Sequence, residues 1–162
     1  MDLSSRVGWC LAELGCRPIW NFWQLPKIGG EGARFAAFEN ELAEALQVHQ
    51  PHVVVVEAPL PLPALNNRES AMQQIGLRGF AYSEGYRASI PVVEVDAYTV
   101  RVEMLGTGRS SKDEKIKAKV LRWCHERGYA VVDDNCADAV LLAAFYASAL
   151  GWRLATGPKV TP

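Results

Sequence analysis

The pattern of apolar positions centres on four consecutive valines at positions 53–56, which are followed by Glu57 and Pro59. A short run of β-branched residues without a polar break predicts a strand buried on both faces, as in the middle of a parallel sheet. Pro59 ends the strand because proline has no N–H to donate to a neighbour. Glu57 is therefore predicted at the carboxyl end of a buried strand, where ligands and catalytic groups gather in open α/β sheets. The alternative is a strand-end glutamate that faces solvent.

Similar runs predict the other strands. Residues 7–14 are typical of an antiparallel return strand after a tight turn, residues 16–25 of a third strand, and residues 90–95 of a fifth. Asp2 would end the first strand, yet only Met1 precedes it, whereas a central strand has about 5 residues. Either a few upstream residues are absent from this sequence or the first strand is unusually short.

Helical spacing of apolar residues separates these strands. It predicts helices at residues 31–49 and 67–86, a helix that is capped by Ser110 or Ser111 and runs to about residue 127, and a last helix of about four turns that is capped by Asp133 or Asp134. Residues 98–105 are predicted as a short helix or an extended segment. The last predicted strand is therefore followed only by helical or short segments.

The order of elements, three strands, helix, strand, helix, strand and then helices, is that of the ribonuclease-H-like α/β fold. It predicts a five-stranded mixed sheet flanked by helices. In that sheet the first three strands form an antiparallel meander, and strands four and five run parallel to the first. At 162 residues, we expect one nuclease-type domain over residues 1–150 and a C-terminal tail at 151–162.

Composition narrows the class of protein. A hydrophobic fraction of 49% with 22% charged residues indicates a soluble globular protein, and no apolar run approaches the roughly 20 residues of a membrane span. The four cysteines form no C-x-x-C pair and are typical of reduced thiols in the cytoplasm. We expect a cytoplasmic protein without a membrane partner, and the N-terminus lacks the features of a signal peptide.

Basic residues are concentrated between positions 101 and 127, where eight basic side chains stand against four acidic ones although the whole chain has a net charge of −1. A local excess of this kind can bind phosphates. The candidate phosphate contacts are Arg101, Arg109, Lys112 and Lys115. The alternative is a solvated helix face.

Three carboxylates are candidates for chemistry. Asp138 is flanked by Ala137 and Ala139 on the apolar side of the last helix, where a charge is costly unless something positive compensates for it. Asp2 and Glu57 would end neighbouring strands. Hard oxygen ligands without a His or Cys cluster select magnesium or manganese. Two such ions roughly 4 Å apart would generate the attacking hydroxide and stabilise the leaving oxygen of a phosphodiester.

Several short motifs occur in a specific order. They are Asp2-Leu3-Ser4-Ser5 with Gly8-Trp9, Val56-Glu57, Ser70-Ala71 with Gly76 and Arg78-Gly79, Thr99-Val100-Arg101, Gly106 to Lys112, and Asn135 to Ala139. Together they resemble the RuvC-type Holliday junction resolvases, particularly phage and prophage members. The resemblance implies a magnesium-dependent endonuclease that acts as a homodimer on four-way or branched DNA. Two symmetry-related strands would be nicked to leave ligatable ends, in a bacterial or phage-infected cell.

The resemblance also implies roles for the acids. Asp2, Glu57 and Asp138 match the metal-binding acids of the family. Asn135 stands where many members have a fourth acid or a histidine, and Asp134, one residue earlier, is the candidate substitute. The fourth metal ligand therefore stays open between these two residues.

Among the basic residues, Lys112 matches a catalytic lysine that would neutralise the charge developing at the scissile phosphate. Arg101 stands where a second lysine is usual, and as an arginine it would bind phosphate bidentately. Leu60 stands where the family often has an aromatic wedge, so junction opening is expected to differ here.

Three alternatives remain. The same fold and acids serve nucleases that process structured RNA, although the loop at residues 107–112 favours the junction group. The Asp2-Leu3-Ser4-Ser5 motif also resembles a phosphate motif of actin-like ATPases and sugar kinases, but those need two domains and a longer chain. A catalytically impaired junction-binding protein is the third alternative, because the first strand is short in this sequence and Asn135 is not acidic.

Overall fold

The structure is a computed structural model that describes residues 1, 3, 6–59, 68–110 and 114–157, with the side chains of residues 68–70 excepted. Its strands and helices follow in the order β1 (Arg6–Leu11), β2 (Ile19–Gln24), α1 (Gly30–His49), β3 (Val54–Glu57), α2 (Arg68–Arg87), β4 (Val92–Val95), α3 (Ala97–Leu105), α4 (Ile116–Glu126) and α5 (Asp134–Ala149). In the described part of the chain, no helix is both long and apolar enough to cross a membrane.

The strands form two pairs. β1 pairs antiparallel with β2, and β3 pairs parallel with β4, with α2 as the crossover. The prediction of one five-stranded sheet is therefore wrong for the residues that the structure describes, which contain two two-stranded sheets. The directions of the pairs agree with the predicted meander and with the parallel arrangement of the later strands.

The physical reason lies at the predicted first strand, of which Met1 and Leu3 are described. The Met1 nitrogen donates a hydrogen bond to the Val55 carbonyl oxygen at 2.7 Å, and the Glu57 N–H donates to the Met1 carbonyl oxygen at 3.2 Å. This pattern is that of parallel pairing with β3. Among the described residues this pairing is recorded at Met1, and β1 and β3 belong to separate sheets. Asp2, Ser4 and Ser5 lie outside the described residues.

β3 is buried on both faces, as the run of valines at 53–56 predicted, although the strand itself begins at Val54. Val54 and Val56 pack in the apolar core that includes Phe38 and Leu42 of α1. Val55 packs against the second core, which α4 and α5 form on the opposite side. The strand therefore lies between two helical layers, and Glu57 at its end is held on a rigid support.

The later helices differ from prediction mainly at their starts. Residues 97–105 form a helix, capped by Asp96, whose carboxylate accepts from the Thr99 N–H at 2.7 Å. α4 begins at Ile116 and not at Ser110, although the Ser110 hydroxyl oxygen still accepts from the Ile116 N–H at 3.0 Å. The predicted cap Ser111 lies outside the described residues. Of the two predicted caps, Asp133 and Asp134, it is Asp133 that caps α5, by accepting from the Cys136 N–H at 2.8 Å.

Candidate active site

Two of the three predicted acids meet in space. Glu57 ends β3, and Asp138 projects from the first turns of α5. Both line a small cavity of about 10 Å³, which is close to the smallest space that holds one water molecule. Its other walls are formed by residues of α3 and α5, namely Ala97, Val100, Arg101, Leu141 and Leu142. The third predicted acid, Asp2, lies outside the described residues.

Burial opposes ionisation of both carboxyls. The pKa of Glu57 is raised, first because the side chain is desolvated and second because the negative charge of Asp138 lies close by. The pKa of Asp138 is also raised, and desolvation is again the main cause. Arg101 acts in the opposite direction on both groups. The site therefore holds two acids that an additional positive charge would stabilise.

Arg101 lies within this site. Its Nη2 donates to the Asp138 Oδ1 at 3.3 Å, with the Arg101 side chain 21% exposed and that of Asp138 13% exposed. Arg101 was predicted as a phosphate contact, and the structure places it against a carboxylate. This is the positive compensation that the buried position of Asp138 required.

Arg78 holds the end of β3 and was missed as a site residue from the sequence. The side chain is almost buried, at 10% exposure. Its Nη2 donates to the backbone oxygen of Glu57 at 3.0 Å, and its Nε lies 2.9 Å from Glu94 Oε1. Its burial depends on how α2 packs against the ends of β3 and β4, which the neighbouring residues in the sequence do not indicate.

Asp96 was also missed, although it directly follows β4 as Glu57 ends β3. Its negative charge contributes to raising the pKa of Glu57. Its own pKa is lowered because the Thr99 N–H donates to it. Asp96 is therefore an ionised helix cap beside the site, and the rule that singled out Glu57 would also have found it.

The start of α5 lies directly on β1. A Cβ atom on Gly8 would come within 2.1 Å of the Asn135 carbonyl oxygen, so only glycine permits this approach. Asp134 contacts the Lys117 ammonium, and this hydrogen bond is the main cause that lowers its pKa. Of the two candidates for the fourth ligand, Asp134 thus already has a cationic partner.

The other predicted basic residues that the structure describes are recorded in other surroundings. The Arg109 guanidinium carbon lies 6.0 Å from the centre of the Tyr98 ring, and Lys115 is exposed just before α4. Arg122 pairs with Glu114 at 2.7 Å. Lys112 lies outside the described residues. Part of the basic excess is therefore neutralised within the protein, while Lys115 faces solvent.

A hard divalent cation suits these residues. Glu57 and Asp138 offer oxygen ligands only, and their raised pKa values indicate that a nearby cation would be favourable. Within the ranges that the structure describes, no three His, Cys, Asp or Glu side chains cluster as a complete metal site. The described acids therefore form a pair that needs at least one more ligand.

Comparison with known proteins relates the chain to one group. No family model matches. The crossover junction endodeoxyribonuclease RuvC of Geotalea uraniireducens (strain Rf4) is 29% identical over 117 residues, which are 72% of this chain and 64% of that protein. The chain thus matches slightly less than two thirds of the relative's length.

Solved structures agree in fold. The Thermus thermophilus RuvC structure superposes with a TM-score of 0.71 at 19% identity, over 94% of this chain and 95% of that one. T. thermophilus RuvC in complex with Holliday junction substrate gives 0.69 at 17% identity, over 94% of each. The yeast mitochondrial Holliday junction resolvase Ydc2 gives 0.56 at 14% identity, over 90% and 76%. The resemblance to RuvC-type resolvases is confirmed, and the fold is the ribonuclease-H-like α/β fold of these proteins.

Proposed function

We propose that the protein is a structure-selective endodeoxyribonuclease that resolves four-way DNA junctions by metal-dependent phosphodiester hydrolysis. The observation that carries the proposal is the meeting of Glu57 and Asp138 beside Arg101 at the end of β3. The sequence similarity to a crossover junction endodeoxyribonuclease supports it. The similar fold of T. thermophilus RuvC, which was solved in complex with Holliday junction substrate, supports it as well. The resemblance further favours action in the cytoplasm.

The proposed cofactor is magnesium or manganese, as two ions. Glu57 and Asp138 would hold them together with Asp2, and Asp134 or Asn135 would complete the set. The ions, when bound, would supply the hydroxide and neutralise charge at the leaving oxygen. Burial of the carboxyls disfavours their ionised form without a cation, so metal binding and proton release are expected to be coupled.

The chain's own side chains would position the DNA strand. We assign Lys112 to the scissile phosphate, where its charge would neutralise the developing negative charge. Arg109 and exposed Lys115 would bind the backbone of the same strand. In the structure, Arg101 is hydrogen-bonded to the Asp138 carboxylate. We propose that a cation bound at Asp138 would replace this contact. Arg101 would then be free to bind a phosphate bidentately, as predicted from the sequence.

The experiment that tests this function is nicking of a synthetic four-way junction with and without Mg²⁺, compared with a linear duplex and a folded RNA of similar length. We expect cleavage of the junction alone, and only with metal. Asp138→Asn should reduce cleavage by at least about a thousandfold while binding is retained or tightened, because one ligand and one repulsive charge are removed together. Glu103→Gln, an exposed change on α3, is the matched control.

Each other outcome counts against the proposal. Normal cutting by Asp138→Asn would remove this residue from the site. Preferential cleavage of the folded RNA would favour an RNA-processing nuclease. Tight junction binding without any cleavage by the unmodified protein would favour a junction-binding protein that has lost catalysis.

We further propose that two copies associate through the outer face of α2. Apolar side chains are exposed along this face at Met72, Ile75, Tyr82 and Tyr86, at fractions of 51%, 49%, 43% and 87%. Their spacing of three, seven or four residues keeps them on one side of the helix. Gly79 lies among them, and a Cβ added there would meet nothing within 4 Å, so a partner helix could approach closely.

If this face is disrupted, we expect the two junction strands to be nicked independently of each other. Ile75→Glu should shift the protein from dimer to monomer in sedimentation velocity, because a charge would be buried in the apolar contact. The same variant should lose the paired cutting of opposite junction strands. Val48→Glu, which places the same charge at an exposed apolar position on α1, is the control. A dimer that survives Ile75→Glu would exclude this face.

A further inference from the structure

The guanidinium of Arg78 connects the ends of two paired strands to α2. Its Nη2 donates to the Glu57 backbone oxygen at 3.0 Å, and its Nε lies 2.9 Å from Glu94 Oε1 in an ion pair. Glu57 is the last residue of β3, Glu94 lies in β4, and the two strands run parallel. Arg78 itself belongs to α2. One side chain thus contacts both strands where they end.

Arg78 approaches these strands from the side opposite to Asp138. Glu94 pairs with Val56, and paired residues of neighbouring strands point to the same face of a sheet. Val56 packs in the core that α1 and α2 form. Successive side chains of a strand point to opposite faces, so the carboxylate of Glu57 points away from α2, toward the cavity that it shares with Asp138. Arg78 therefore contacts Glu57 through its backbone.

Tyr82 is a third member of this group. It lies one turn after Arg78 on α2, and residues four apart are neighbours on a helix surface. The pKa of the Tyr82 phenol is raised, first by desolvation and then because the charge of Glu94 lies close by and the two side chains are hydrogen-bonded. Glu94 thus interacts with two side chains of α2. Because Tyr82 is partly exposed, the group extends from the strand ends to the outer face of α2.

Burial and shape distinguish Arg78 from the cation of a simple ion pair. The side chain is almost buried, whereas that of Glu94 is about three times more exposed, and a buried charge is costly unless it is paired. Glu94 supplies that charge. The second contact goes to a neutral backbone oxygen of the residue that carries the candidate ligand. Because the donors of a guanidinium form a rigid planar fork, the two contacts together fix one strand end relative to the other.

We propose that Arg78, Glu94 and Tyr82 are positioning residues for the metal site. They would act on the cation indirectly, by fixing the end of β3 and with it the Glu57 carboxylate. Two ligands hold one cation well only when their separation is maintained closely, and the second acid, Asp138, lies on a different element, α5. The inference rests on the proposed metal site and extends it to residues outside the cavity.

The test is Mn²⁺ binding to the full chain by isothermal titration calorimetry, with the melting temperature of the metal-free protein measured in parallel. Tyr82→Phe removes a single hydroxyl group and should weaken Mn²⁺ binding by about threefold or more. Tyr86→Phe makes the same change at an exposed position of the same helix and is the matched control, for which we expect unchanged Mn²⁺ binding. Both variants should melt close to the unmodified protein.

Arg78→Lys examines the centre of the group. Lysine keeps the positive charge but is a point charge on a flexible stem, so it should not fix both strand ends. We expect Mn²⁺ affinity per folded molecule to fall by about tenfold. Glu94→Gln, which keeps an acceptor for Tyr82 but loses the ion pair, should give an effect between those of Tyr82→Phe and Arg78→Lys.

Normal Mn²⁺ binding by folded Tyr82→Phe and Arg78→Lys would overturn the proposal, because the group would then support folding alone. Equal weakening by Tyr86→Phe would also overturn it, since the effect would not pass through Glu94. Asp138→Asn separates these outcomes from failure of the proposed function. Mn²⁺ binding that survives Asp138→Asn would contradict the metal site itself, whatever the other variants do.

Discussion

At the scale of single residues, the site is governed by charge held away from water. Glu57 and Asp138 are partly buried, repel each other and share one guanidinium. Such an arrangement costs folding free energy when no cation is bound. Such destabilising pairs of charges occur at functional sites, because the repulsion between the two carboxylates also favours binding of a metal cation.

Glu57→Gln is expected to raise the melting temperature of the metal-free protein near neutral pH. The pKa of Glu57 is raised in the folded state, so the unmodified protein loses stability as the pH rises from the ordinary pKa of glutamic acid through the raised one. Glutamine does not titrate and escapes this loss. Thermal melts across this range should show a small difference at acid pH that grows toward neutrality, at about 2–4 °C for each 1 kcal/mol.

Glu103→Gln serves as the control for this experiment, because Glu103 is exposed. It should leave the pH dependence of the melting temperature as it is in the unmodified protein. A Glu57→Gln variant that becomes less stable than the unmodified protein as the pH rises toward neutrality would contradict the repulsion argument. It would show instead that the ionised carboxylate contributes more through Arg101 than burial costs.

At the scale of elements, the site depends on how closely α5 docks on β1. Gly8 permits the approach, since an added Cβ would lie 2.1 Å from the Asn135 oxygen and 2.9 Å from the Cys136 nitrogen. Those atoms belong to backbone, which cannot rotate away as a side chain can. Asp138 lies on the same helix, so a shift of its first turn would also move this carboxylate relative to Glu57.

Gly8→Ala is expected to destabilise the protein by roughly 1–3 kcal/mol, as other overpacked cores do, and to reduce cleavage by more than the loss of folded protein explains. Gly32→Ala is the matched control. Gly32 lies near the start of α1 with open space around it, so alanine there should stabilise by about 0.5–1 kcal/mol. Chemical denaturation and activity per folded molecule provide both measurements. Full activity in folded Gly8→Ala would show that the docking distance is not critical.

At the scale of the whole molecule, a net charge of −1 has to be reconciled with a DNA partner. The net charge is small because acidic and basic residues are nearly equal in number, and several described ones pair with each other, as Lys117 does with Asp134. The proposed DNA contacts are few and local: Arg109, Lys112 and Lys115, together with Arg101 once it is released. Long-range attraction to DNA is therefore expected to be weak, and affinity should depend on these contacts.

Junction affinity is expected to fall steeply with salt, with a slope of log affinity against log salt near −0.9 for each phosphate contact. Lys115→Ala should reduce that slope by about one unit and weaken binding to all junction sequences alike. Lys119→Ala, one turn further along on α4, is the control. If the affinity does not depend on salt, the basic stretch at residues 101–127 is a solvated helix face and not a phosphate-binding surface.

Much of the fold was predictable because it depends on neighbours in the chain. The four valines produced a strand buried on both faces, Asp133 capped α5, and apolar spacing located α1 and α2. The position of Glu57 at a strand end followed from Pro59. The boundaries of β1 and α4 were predicted less well, because turn geometry and docking decide where a strand or helix ends.

The sequence by itself thus determined which residues carry charge into apolar surroundings, Asp138 above all, since that follows from adjacent side chains. Only the tertiary structure decided their partners. Arg101 reaches the Asp138 carboxylate across 37 positions and Arg78 reaches the Glu57 backbone oxygen across 21, and both contacts depend on how α3 and α2 dock on the strand ends. Local pattern determines the cost of a buried charge, whereas the packing of distant elements determines what compensates for it.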